Sequence, residues 1–164
     1  MRNLLEIQKQ TGVSGDPLLD YVRLDVALRG LNPDLVREVK TSSLPQELAS
    51  HLKKRVALQA CYHNTSEALK KLRGKDCKYV LGFWCKIIPT EHCFLKIGDQ
   101  YFDPTGELLF ERDEETRYFA VFELEPNEVR QLMRLRGRRQ EYPAIHDYVR
   151  HIQEQNRTNG RLAA

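Results

Sequence analysis

The sequence predicts an α+β fold: helices first, then a small antiparallel sheet, then helices again. Two observations carry this. Apolar residues recur at helical spacing up to residue 72 and again after residue 126. Between them lie four short runs rich in β-branched and aromatic residues. With 164 residues, 41% of them apolar, the chain is large enough for one buried core.

Each element has its own signal. Asp16-Pro17 is a cap followed by proline at the first helical position, and Leu18, Leu19, Val22, Val26 and Leu28 follow at helical spacing. Gly30 ends that helix, and Asn32-Pro33 starts a short second one in the same way. Ser43 or Leu44 with Pro45 opens a third, carrying Leu48, Leu52 and Val56. A fourth is expected from near Cys61 to Leu72, with Ala68, Leu69 and Leu72 inward and Gly74 as its stop. The strands are expected at residues 79–88 (YVLGFWCKII), 93–97, 100–103 and 118–124 (YFAVFEL), with residues 107–117 as an acid-rich loop or exposed hairpin arm. Past Pro126 the stripe Val129, Leu132, Met133 and Leu135 marks a helix, and Pro143 opens the last one, with Ile145, Tyr148, Val149 and Ile152. Residues 1–155 are expected to form a single domain and 156–164 a polar, frayed tail.

Charge and composition exclude several classes. The net charge of +3, from 26 basic and 23 acidic residues, is too balanced to imply nucleic acid. No apolar run approaches the ~20 residues of a membrane helix. Residues 1–10 lack a signal-peptide core, so the expected compartment is cytoplasmic. Cys61, Cys77, Cys85 and Cys93 are then expected as reduced thiols. They contain no C-x-x-C pair, which argues against a zinc site built from them with His63 and His92. Neither a G-x-G-x-x-G nor a G-x-x-x-x-G-K-[ST] phosphate loop is present.

The most informative segment is EHCFLKIGDQYFDPT, residues 91–105. Gly98-Asp99 fits a two-residue hairpin loop with glycine first, as a type II′ turn requires. That turn pairs Ile97 with Gln100, Lys96 with Tyr101 and Leu95 with Phe102, and carries on to set Phe94 opposite Asp103 and His92 opposite Thr105. His92 and Asp103 then share one face within side-chain reach, whereas a one-residue slip would part them. A carboxylate beside an imidazole fixes its tautomer and frees the other ring nitrogen for a nucleophile.

The candidate nucleophile is Cys61. At a helix start the dipole and free N–H groups lower a thiol's pKa, and the same N–H groups can receive an oxyanion. Cys85 and Cys93 lie in apolar strand runs and are expected in the core; Cys77, in a Lys-rich turn, is expected to be exposed. His63 stands two residues along the helix and faces elsewhere. Asn64, one turn on, is a weaker candidate for the same cleft, and Gln59 for an oxyanion donor. Phe83 and Trp84 are candidate pocket walls.

These residues resemble the papain-like and transglutaminase-like cysteine enzymes. The pattern His…Gly-x-x-Tyr-x-x-Asp-Pro-Thr of the transglutaminase-like branch is matched by His92, Gly98, Tyr101, Asp103, Pro104 and Thr105, and the order Cys61, His92, Asp103 agrees. Phe94 stands where a tryptophan is common, and Ala-Cys-Tyr-His-Asn lacks the Gly-x-Cys-x-x-Trp signature. The resemblance implies a Cys-bearing helix packed on a small antiparallel sheet. It also implies acyl transfer on a protein, peptide or small amide through a thioester: peptidase, amidase, deamidase or transglutaminase chemistry without a cofactor. The competing reading is a non-catalytic module, or a degenerate family member, that binds nucleic acid or an acidic protein. Its surface would be the basic run Arg130, Arg134, Arg136, Arg138 and Arg139, although charge runs are more often solvated faces.

Overall fold

The computed structural model of the chain describes residues 14–110, 115–135 and 143–162. Among them are six α-helices and a five-stranded antiparallel sheet, an α+β architecture. Helix α1 (Pro17–Leu28) begins as the sequence dictates: the Asp16 carboxylate accepts from the backbone N–H groups of Leu18 and Leu19, ahead of proline in the first turn. Asn32 caps a single 3-10 turn at Pro33–Leu35 likewise. There follow β1 (Arg37–Val39), α2 (Gln46–Leu52) and α3 (Cys61–Lys71), then β2 (Cys77–Cys85), β3 (Pro89–Ile97) and β4 (Gln100–Phe102). The chain ends with α4 (Pro104–Leu109), β5 (Arg117–Leu124), α5 (Pro126–Leu135) and α6 (Ile145–Leu162).

The strand order is β1-β5-β2-β3-β4. Alternation along the strands sorts side chains to two faces. Tyr79, Leu81, Phe83, Cys85, Cys93, Leu95, Phe119 and Val121 join Val22, Val26, Leu48, Leu52, Leu69, Val129 and Ile145 in the main core. The other face carries a smaller cluster of Val80, Phe94, Tyr118 and Ala120, with Val39, Trp84 and Tyr101 against it. A register shift between Leu81 and Gly82 in the β2–β5 pairing brings the strands so close that a Cβ on Gly82 would stand 2.0 Å from the Phe119 carbonyl oxygen. Beyond β1 the chain hooks across to the far strand. Thr41 bridges Tyr101 of β4, and the Ser42 N–H donates to the Tyr101 carbonyl at 2.7 Å.

Several expectations are corrected. The acid-rich stretch opens with helix α4, because Asp103 accepts from the Thr105 N–H and Pro104 presets the first turn. Strand β1 carried too little apolar pattern, Arg-Glu-Val, to be read. Helix α2 stops at Leu52, leaving Val56 beyond it, and β2 stops at Cys85, leaving Ile87 and Ile88 exposed in the turn. Cys77 is buried rather than exposed: β2 starts there and its thiol approaches the Leu72 carbonyl at 3.8 Å. The helical backbone of α6 runs on to Leu162, through most of the expected tail. Arg130 and Arg134 are exposed on α5, while Arg136, Arg138 and Arg139 lie outside the described residues, as does most of the 111–115 acidic run. No helix among the described residues is long and apolar enough to cross a membrane.

Candidate active site

The β3–β4 hairpin has the expected register, with Ile97 opposite Gln100, Lys96 opposite Tyr101 and Leu95 opposite Phe102. Gly98 has φ of 56°, the left-handed value that the first position of a type II′ turn needs. Pairing ends at Phe102, so the chain turns into α4 and Thr105 does not lie across from His92. Asp103, now the cap of α4, still meets His92: the imidazole Nε2 lies 2.9 Å from the Asp103 Oδ2. Both side chains are nearly sealed from solvent, at 4% and 3% exposure, so this bond is not diluted by water. An ionised carboxylate only accepts, so Nε2 carries the proton and Nδ1 is left for another partner.

Burial disfavours the His92 cation, but the Asp103 charge and hydrogen bond outweigh it, and the Cys61 thiol adds to the pull; the imidazole pKa is raised to about 9. For Asp103, burial pushes the carboxyl up, but His92, the Gly106 N–H and the Tyr118 hydroxyl hold it below the usual value. Tyr118 donates to the same Oδ2 at 2.9 Å, and Trp84 packs over the His92 ring at 5.5 Å between centroids.

Cys61 is the first residue of α3, with Ala60 as a cap that offers no side-chain bond to the first-turn N–H groups. It is half-buried, whereas Cys77, Cys85 and Cys93 are buried, and none of the four is in a disulfide. Burial pushes the Cys85 thiol up to about 12 and Cys93 well above its ordinary value. Two ties hold α3 against β3 around the thiol. Thr65, one turn on, donates to the Cys93 carbonyl at 3.0 Å. Tyr62 donates to Glu91 at 2.7 Å, and Glu91 also accepts from Arg29 at 2.8 Å and from the Ile145 N–H at 3.0 Å. The residues next to Cys61 and next to His92 are thus joined directly.

His92 and Asp103 are hydrogen-bonded, and Cys61 heads the helix tied to the strand of His92, while Asn64 is engaged within the fold. Asn64 is fully buried and both its amide hydrogens are engaged, by the Ala57 carbonyl at 2.9 Å and the Thr105 hydroxyl at 3.0 Å. It ties the loop before Cys61 to α4 and has no hydrogen left for a substrate. Gln59 is exposed, with a left-handed backbone at φ of 57° in the turn before Cys61. Phe83 is buried in the main core, while Trp84 faces His92. Tyr118 and Gly106 went unnoticed in the sequence, since only the pairing of β2 with β5 brings Tyr118 beside Trp84 and within reach of Asp103. No group of three or more His, Cys, Asp or Glu side chains among the described residues is arranged to hold a metal ion. Comparison with family models, curated proteins and solved structures finds no match.

Proposed function

We propose that the chain is a papain-like or transglutaminase-like cysteine enzyme that transfers acyl groups from an amide or ester. The observation that carries this reading is the sealed His92–Asp103 pair beside a helix that opens on Cys61 and is tied to the strand of His92. A surface histidine has no need of a buried carboxylate, and a structural cysteine has no need of a helix N-terminus.

In this mechanism His92 takes the Cys61 proton, giving a thiolate beside an imidazolium steadied by Asp103. The sulfur bonds to the carbonyl carbon, and the π electrons move to the oxygen. The first-turn N–H groups of α3 receive that oxyanion. As it collapses, the bond to the leaving amine or alcohol breaks and His92 returns the proton to it. Water or an amine, deprotonated by His92, then attacks the thioester and releases Cys61.

The test is alkylation by iodoacetamide at neutral pH, read site by site by mass spectrometry. Cys61 is expected to react far faster than Cys77, Cys85 or Cys93, and His92→Ala is expected to slow it. Equal rates at Cys61 and Cys93, or a rate indifferent to His92, would overturn the reading.

A further inference from the structure

The Asp103 carboxylate is held from more sides than a triad requires. Oδ1 accepts from the Thr105 N–H at 2.9 Å. Oδ2 accepts from His92 Nε2 and from the Tyr118 hydroxyl, each at 2.9 Å. An oxygen with two bonds of this kind has its lone pairs committed. Tyr118 reaches it from β5, a strand that β2 separates from the β3–β4 hairpin in the sheet order.

Gly106 leaves the space for this meeting. A Cβ there would stand 2.5 Å from Asp103 Oδ2 and 3.0 Å from the Tyr118 hydroxyl. Gly106 sits inside α4 with no left-handed backbone, so its conformation does not call for glycine, and glycine is a poor helix former. Room for the carboxylate and phenol is what the missing side chain supplies.

We infer that Tyr118 and Gly106 are positioning residues for the proposed triad: the phenol shares and orients the carboxylate oxygen that holds His92, and the glycine gives that oxygen its seat. This rests on the reading of Cys61, His92 and Asp103 as a triad. In this role both act through the Asp103 carboxylate. Their effects on His92 have opposite sign. Without the phenol, the carboxylate charge falls undivided on the imidazolium, which holds its proton more tightly. With a methyl at 106, the carboxylate is pushed off the ring and the imidazolium holds its proton less tightly.

The experiment follows the His92 imidazole by NMR titration in the full chain, alongside the pH profile of Cys61 alkylation by iodoacetamide. Tyr118→Phe is expected to raise the His92 titration by about half to one pH unit, the size of one hydrogen bond. Gly106→Ala is expected to lower it, and the alkaline limb of the alkylation profile is expected to move the same way in each variant. Titrations that match the wild type, or that move together, would overturn the inference. Tyr118→Phe removes one oxygen only and carries the test alone if Gly106→Ala does not fold. Wild-type Cys61 no faster than Cys93 would remove the triad and this role with it. A fast, His92-dependent Cys61 with an unmoved Tyr118→Phe titration would remove this inference alone.

Discussion

The two faces of β3 put the same residue types to opposite uses. Cys93 and Leu95 point into the main core, where the Cys93 thiol is fully buried and its ionisation suppressed. One residue away, His92 points to the other face and meets Asp103, which Tyr118 also holds, while a second thiol, Cys61, stands at a helix end that packs against the main core. Burial within the core suppresses the ionisation of Cys93, whereas half-buried Cys61 stands at a helix start whose first-turn N–H groups have no side-chain cap. The core face holds the strand in place, and the other face uses that rigidity to orient one ring.

This contrast can be broken in graded ways. The largest effect is expected from Cys61→Ala, which should lower acyl transfer roughly 10³-fold or more with little change in melting temperature. Cys93→Ala should leave the chemistry standing. Turnover of a substrate captured by a thiol-directed acyl probe measures both. Next comes Leu95→Ala on the core face, expected to cost roughly 2–5 kcal/mol in denaturant unfolding while folded protein keeps its fast Cys61. Gly82→Ala should cost about 1–3 kcal/mol, because the new methyl meets the Phe119 backbone of the neighbouring strand rather than a side chain that can swing aside.

The gentlest effect is that of pH on stability. The His92 pKa, raised from 6.5 to about 9, contributes stability that is complete below 6.5 and lost as pH climbs through 9. The lowered Asp103 pKa contributes stability that is present above 3.8 and lost as pH falls below it. Unfolding midpoints should therefore form a plateau between about 3.8 and 6.5 and decline from there toward 9, and His92→Gln should remove the alkaline decline.

What could be read from the chain followed the range of the interactions. The hairpin register was legible because one glycine fixes the turn and alternation does the rest, so His92 and Asp103 could be set on one face. The helix starts at Asp16 and Asn32 were legible because capping is local. Strand β1 was not, since three residues at a sheet margin need no apolar signature. Cys77 was misjudged because its flanking lysines speak for the turn before it, while its burial comes from elements distant in sequence. Asp-Pro-Thr proved to supply both the carboxylate that meets His92 and a helix cap, and the same capping rule applied at Asp16 would have revealed α4. Tyr118 required a strand pairing that no short pattern announces.

The hook from β1 across to β4 has a consequence for how copies of this chain meet one another. An open sheet ends in two rows of unpaired backbone groups, which template pairing with a neighbouring molecule. Here the segment leaving one margin lies against the other, at Thr41 and Ser42 on Tyr101, and that outer strand is only three residues long. The wrap therefore occupies backbone groups of β4 with which a neighbouring copy could otherwise pair.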